Sequence, residues 1–160
     1  EGLADNPTTL YKMAGVEGQI QTGVRIGHKQ GIFSMRFRSQ FTNQRLFTTD
    51  QFSIGGRYSV RGFSGEETLR GDSGYYVQSE WSLPFRKQQI TPYVGIDIGH
   101  VWGPSTETQL GNTLIGGVVG VRGTVGDAVN YDVSLGTPIK KPEGFNTDTR
   151  VWAFRGSYQF

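Results

Sequence analysis

The residues best suited to do chemistry lie in one glycine-rich stretch, which runs from Gln51 to Phe63 and carries Arg61 near its end. Glycines at positions 55, 56, 62 and 65 permit positive φ angles and close approach of other chain segments, so they favour a compact, shaped loop. The guanidinium of Arg61 is always charged and can bind a carboxylate through two parallel hydrogen bonds. The stretch therefore predicts an arginine anchor for a folded loop, or, as the simpler alternative, a hairpin with an exposed arginine.

Other residue patterns give little support to an enzyme or a metal site. Glu80 and Asp97 fall on neighbouring predicted strands and resemble a glycosidase carboxylate pair in residue type alone, but charges lining a wet surface explain them more simply. His28 and His100 occur singly, with no cysteine nearby. Residues 115–120 do not match the dinucleotide-binding glycine pattern, and no nucleophile elbow is present. We expect no catalytic residue, no metal and no cofactor.

Composition narrows the class of protein. The chain has 160 residues, and its 24 glycines and 12% aromatic residues do not suit a helical protein. It has no cysteine, which excludes a disulfide scaffold. A net charge of +2, spread along the chain, gives no reason to expect a nucleic-acid partner. The first residue is Glu1, with no initiator methionine or apolar leader, so we expect a processed or cut N-terminus.

Alternating apolar and polar residues predict β-strands over most of the chain. The clearest segment is 33–41, where phenylalanine and methionine alternate with serine, arginine and glutamine. The faces of the glycine-rich segment 114–124 cannot be assigned, because glycine and valine occur at both parities. We expect about eight strands, each near the roughly 9 to 11 residues of a tilted membrane strand. Those that the pattern locates lie near 16–26, 33–41, 75–85, 90–99, 114–124, 129–135 and 152–160.

The connections between these strands alternate in length. Short turns are expected near 27–31, 86–89 and 125–128, and long loops near 42–50, 57–74, 103–112 and 137–148. Short turns on one rim and long loops on the other are typical of a membrane β-barrel. A face carrying several charges suits a wet lumen, because an unpaired buried charge is costly. A soluble up-and-down barrel or sandwich has the same periodicity and remains the alternative.

The motif F-S-I-G-G-x-x-S-V-R-G-F in the glycine-rich stretch resembles the lid-loop motif of the two-partner secretion outer-membrane transporters (TpsB) of haemolysin, haemagglutinin and contact-dependent-inhibition type. The resemblance covers roughly residues 12–160 and corresponds to the C-terminal half of the family's barrel. It implies an all-β, antiparallel transmembrane β-barrel. It also implies a single barrel domain or fragment over 1–160, with a lid loop at about 55–74 and without the family's POTRA domains and plug helix.

The resemblance assigns roles to particular residues. The lid loop folds into the lumen, where its arginine pairs with an aspartate on the wall; here these are Arg61 and Asp97, the latter within P-Y-V-G-I-D-I-G. The final strand resembles an outer-membrane insertion signal. The lid-loop motif comprises Gly55, Gly56, Val60, Arg61, Gly62 and Phe63. The expected lumen lining comprises Arg36, Arg38, Tyr76, Gln78 and Glu80. The insertion signal comprises Trp152, Phe154, Tyr158 and Phe160.

The function that the resemblance implies is export of a partner exoprotein of TpsA type through the bacterial outer membrane without ATP. The expected partners are that exoprotein, the lipid bilayer and the barrel-assembly machinery. One alternative is a barrel-assembly insertase of the same superfamily, which has a looser version of the motif. The others are a small engineered or fragmentary pore without transport activity and a soluble β-barrel binding module.

Overall fold

A computed structural model describes residues 11–85, 89–126 and 128–159 of the chain. The long strands form one sheet, and a short 3₁₀ turn (Pro104–Thr106) lies in one of its loops. No helix in this described part is long and apolar enough to cross a membrane. The strands are β1 (Ala14–Ile26), β2 (Lys29–Phe41), β3 (Phe52–Ile54), β4 (Leu69–Gly71), β5 (Ser73–Ser82), β6 (Thr91–Trp102), β7 (Thr113–Val125), β8 (Val129–Lys140) and β9 (Val151–Tyr158).

The main sheet is an antiparallel meander in the order β1-β2-β5-β6-β7-β8-β9, so the all-β antiparallel prediction is confirmed. It has seven long strands where about eight were expected, and β3 and β4 form a separate two-stranded sheet. Over the described residues β1 and β9 do not pair with each other, and the sheet is open. The connections at one end are short, as at 27–28, while those at the other end are long, as at 103–112.

The two faces of the main sheet differ as the alternation predicts. Along β6, Thr91, Tyr93 and Asp97 are buried on one face, whereas Val94 and Ile96 are 52% and 51% exposed on the other. We call the first the lid face, because the loop between β3 and β4 packs on it, and the second the outer face. Large exposed apolar side chains on the outer face are Val16, Ile20, Phe41, Trp81, Val94, Ile96, Val119, Trp152, Phe154 and Tyr158.

Strand pairing assigns the faces of the glycine-rich strand β7, which the sequence pattern leaves open. Asp97 lies opposite Gly116 and Gly95 opposite Val118, so the even-numbered residues of β7 share the lid face. The same parity brings Arg122 to the lid face, opposite Thr91 on β6 and Asp132 on β8. The lid face of β7 therefore combines glycines with one cation.

The apolar core lies between the lid face and the small β3–β4 sheet. Phe52 and Ile54 of β3 and Leu69 of β4 are buried against the main sheet, together with Val101 and Leu114. The segment expected as a lid loop, 55–74, includes β4 and the first residues of β5, so its irregular part is 55–68. We call residues 55–68 the lid loop from here on. Burial of apolar side chains contributes about 25 cal/mol per Å², so this contact stabilises the loop against the sheet.

Candidate functional site

The lid loop has a tight, internally bonded fold. The hydroxyl of Ser59 accepts hydrogen bonds from the backbone N–H groups of Gly55 and Gly56, at 3.1 and 3.3 Å. The backbone at Gly62 has a φ of 107°, which a residue with a Cβ rarely adopts. Val60 and Phe63 are fully buried, and the Phe63 ring meets Phe145 edge-on at 5.8 Å. The loop is thus held in one shape with Arg61 between two buried anchors.

Glycines on the lid face let the backbone of the lid loop approach the sheet without intervening side chains. A Cβ placed on Gly116 of β7 would overlap the carbonyl oxygen of Arg61. A Cβ on Gly136 of β8 would lie 2.7 Å from the backbone nitrogen of Gly62, and one on Gly99 of β6 would lie 2.8 Å from Val60 Cγ2. The loop therefore fits a track of glycines on three neighbouring strands.

Asp97 on β6 binds both the backbone and the side chain of Arg61. Its Oδ2 accepts from the Arg61 backbone N–H and from Nε, each at 2.8 Å, and its Oδ1 accepts from Nη2 at 2.8 Å. Asp97 is fully buried, and the Arg61 side chain is 20% exposed. A desolvated bidentate pair of this kind is costly to break at one side only, because the remaining charge loses its partner. The contact fixes the position of residue 61 on the wall.

Glu80 on β5 also binds the arginine. The Arg61 Nη1 donates to Glu80 Oε2 at 2.7 Å, while Glu80 Oε1 is paired with Nη2 of Arg122. The Arg122 guanidinium in turn lies 4.2 Å from the centre of the Tyr93 ring. The Tyr93 hydroxyl donates to Asp132 Oδ1 at 2.7 Å. One charged network therefore extends from the lid loop across β5, β6, β7 and β8.

The surrounding carboxylates keep the arginine charged. Burial by itself would lower the pKa of Arg61, but its hydrogen bonds and proximity to Asp97 and Glu80 have the larger combined effect, so the pKa is raised above its ordinary value. The site is therefore one cation on the lid loop, held by two anions on the sheet.

The expected lumen-lining residues share the lid face but have different neighbours. Arg36 and Gln78 border a cavity of about 370 Å³ beside Arg61, which Glu80 also lines. Tyr76 packs against Phe52 of the small sheet with ring centres 6.0 Å apart, and Arg38 is exposed opposite Glu17 of β1.

The residues expected to form an insertion signal lie on the final strand. Trp152, Phe154 and Tyr158 are 71%, 71% and 66% exposed on the outer face of β9. Phe160 lies outside the described residues. Three aromatic side chains are therefore presented on one edge strand of the sheet.

A second buried carboxylate ties together the long loops at their rim. Asp72 is fully buried and accepts from the backbone N–H of Leu46 at 2.7 Å, and from the N–H and hydroxyl of Ser105, each at 2.8 Å. Its own carbonyl accepts from the side-chain amide of Gln40 at 3.1 Å. Buried polar groups are stable only when they are bonded in this way. Asp72 thus links two long loops to the end of β4.

The sequence pattern misses Arg122, Tyr93, Asp72 and the second role of Glu80. Glu80 had a usable signal, because it lies two residues from Gln78, the strand partner of Asp97, and side chains two apart share a face. Arg122 had none, since the faces of its strand were unassigned. Within the described ranges, no group of three or more His, Asp or Glu residues is placed to hold a metal ion.

Comparisons with known proteins place this geometry in a family. The family model of haemolysin secretion/activation proteins (ShlB/FhaC/HecB) matches residues 2–123. The outer membrane transporter CdiB-2 of Burkholderia pseudomallei strain 1026b is 35% identical over 156 residues, which is 96% of this chain and 27% of that protein. The CdiB transporter of Dickeya dadantii is 32% identical over 76% of this chain and 22% of its own length.

A solved structure agrees with the sequence relatives. CdiB from Acinetobacter baumannii superposes with a TM-score of 0.85 at 30% identity, over 93% of this chain and 27% of that one. The chain thus spans about a quarter of the length of the relatives that it matches. Because the family model covers most of the chain and the fold agrees, this protein belongs to the haemolysin secretion/activation family, the β-barrel outer-membrane transporters of two-partner secretion.

Proposed function

We propose that this chain forms the lid-bearing part of an outer-membrane pore through which a partner exoprotein is exported without ATP. The observation that carries the proposal is the seating of Arg61 on Asp97 and Glu80, because it fixes a loop against the polar face of a membrane sheet. In this proposal Arg61 and Asp97 are the lid anchor, and Arg36, Arg38, Tyr76, Gln78 and Glu80 line the channel. The exoprotein is of TpsA type.

The aromatic residues of the final strand serve assembly in this proposal. Trp152, Phe154 and Tyr158 are exposed on the outer face of β9, where the barrel-assembly machinery and lipid can contact them. Phe160 belongs to the same proposed signal. The same outer face carries aromatic contacts at the end of the sheet where the long loops lie. There the centre of the Trp102 ring is 5.7 Å from that of Phe41 and 6.3 Å from that of Tyr75. Such rings suit the interface between lipid and water.

Export is tested with the full-length transporter in proteoliposomes. Unfolded exoprotein is added on the periplasmic side without nucleotide, and its arrival on the other side is followed by protease protection. We expect protected exoprotein only in vesicles that contain the transporter. If the vesicles move no exoprotein but accelerate the folding of an unrelated outer-membrane barrel, the insertase alternative replaces this proposal.

An arginine at position 20 is expected to impair insertion, whereas one at position 21 is not. Ile20 is half-exposed on the outer face of β1, and its neighbour Gln21 lies on the lid face beside polar groups. Arginine facing lipid near mid-membrane costs about 2–4 kcal/mol, whereas substitutions toward the lumen leave insertion largely intact. The measurement is urea-dependent folding into lipid vesicles of full-length Ile20→Arg and Gln21→Arg proteins. Equal midpoints for both variants would contradict the assignment of the faces.

A further inference from the structure

Glu80 lies between two arginines that belong to different parts of the molecule. Its Oε2 binds Nη1 of Arg61 on the lid loop, and its Oε1 binds Nη2 of Arg122 on β7. The lid role proposed above requires the loop to leave the lid face when an exoprotein passes, and Arg61 then leaves with it. Arg122 is part of the sheet and stays beside Glu80.

Arg122 is held in place by contacts that do not involve the lid loop. Its guanidinium lies over the Tyr93 ring at 4.2 Å, a favourable cation–π geometry. Asp132 lies opposite Arg122 in the β7–β8 pairing and accepts the hydroxyl of Tyr93. Arg122 therefore keeps its position next to Glu80 when the loop moves.

The two states of the loop differ in how Glu80 is neutralised. With the loop seated, two guanidinium groups share one carboxylate and repel each other. With the loop released, Arg122 alone neutralises Glu80. Without Arg122, the released state would contain an unpaired carboxylate of which only 12% of the side chain is exposed in the seated structure. The loss of Arg122 would therefore favour the seated state in two ways, by removing repulsion there and by removing a partner from the released state.

We propose that Arg122 is a positioning residue that eases release of the lid loop, because it neutralises Glu80 once Arg61 has gone. This inference rests on the proposed role of Arg61 as the lid anchor. The two carboxylates then have different roles. Asp97 binds the loop in the seated state only, whereas Glu80 is paired in both states, with Arg61 and Arg122 when the loop is seated and with Arg122 alone when it is released.

The test uses the full-length transporter in lipid vesicles. It carries the substitution Val60→Cys, and any cysteine outside the 160 residues is replaced by serine. Val60 is a residue of the lid loop that is fully buried against the sheet while the loop is seated, so a membrane-impermeant maleimide labels a cysteine there only after release. We expect Arg122→Gln to slow labelling about fivefold, as for a partly exposed ion pair. Arg122→Lys, which keeps the charge, should restore most of the rate.

The expected direction separates this proposal from a merely structural role. A variant that only loosened packing would label faster. In a Glu80→Gln background, Arg122→Gln should have no further effect on labelling, because the shared carboxylate is absent. Labelling of Arg122→Gln at or above the unmodified rate, or an equal effect in both backgrounds, would overturn the proposal. If Arg61→Ala fails to speed labelling, the lid-anchor role itself is wrong. This outcome is distinct from a failure of the Arg122 proposal, because it is read from a different variant.

Discussion

Replacing Arg61 by alanine in the full-length transporter is expected to release the lid loop and reduce secretion while the barrel stays inserted. Asp97 is fully buried and accepts three hydrogen bonds from residue 61. The substitution removes the two that come from the guanidinium and leaves the one from the backbone N–H. Breaking one side of a buried pair costs about 3–5 kcal/mol, and the partial exposure of Arg61 favours the lower value. A shift of about 3 kcal/mol corresponds to more than a hundredfold in the population of the released loop.

Secretion of the exoprotein, planar-bilayer conductance and labelling of Val60→Cys measure this effect together. Arg61→Lys is the matched control, since it keeps the charge but cannot give Asp97 two parallel hydrogen bonds. Its labelling rate should lie between those of the unmodified protein and Arg61→Ala. Heat-dependent gel mobility reports whether each variant is inserted and folded. Normal secretion and normal labelling by inserted Arg61→Ala would exclude the anchor role.

The strands could be predicted because alternation survives wherever one face meets lipid and the other a polar surface. Their ends could not. β2 begins at Lys29 rather than near 33, because backbone pairing with β1 continues through residues that do not alternate. β8 runs to Lys140 through Pro138, where a long loop was expected from 137. A register shift at Ile115 and Gly116 accommodates the proline there, as bulges often do.

The carboxylates of the site could be placed from strand parity, but their sharing could not. The positions of Asp97 and Glu80 follow from alternation and antiparallel pairing. These put both side chains on one face, with Glu80 two residues along β5 from Gln78, the partner of Asp97. The partner of Glu80 on the wall, Arg122, lies in a strand where glycine and valine occupy both faces. On the lid face of that strand, Gly116 is required by the approach of the lid loop and Gly120 by the Tyr93 ring, so contacts within the site take the place of the polar side chains that would mark this face in the sequence.

Gly116→Ala is expected to unseat the lid loop although every charged residue of the site is retained. The new Cβ would overlap the carbonyl oxygen of Arg61, which is backbone and cannot rotate away. The loop cannot shift outward without stretching the 2.8 Å hydrogen bond from the Arg61 N–H to Asp97. Overpacking of this kind costs about 1–3 kcal/mol, so labelling of Val60→Cys should rise about tenfold.

Gly117→Ala on the same strand is the matched control for Gly116→Ala. Residue 117 faces outward, and a Cβ there would lie 3.1 Å from Cδ1 of Ile139, the end of a flexible side chain that is 58% exposed. A small rotation of Ile139 removes that contact. Both variants exchange glycine for alanine in the same strand, so they change its strand propensity in the same way, but only Gly116→Ala touches the loop. Labelling that rises equally in both would show that β7 itself had been disturbed. Labelling that rises in neither would mean that the loop backbone does not rest on Gly116, and the track of glycines would lose its role in seating the lid.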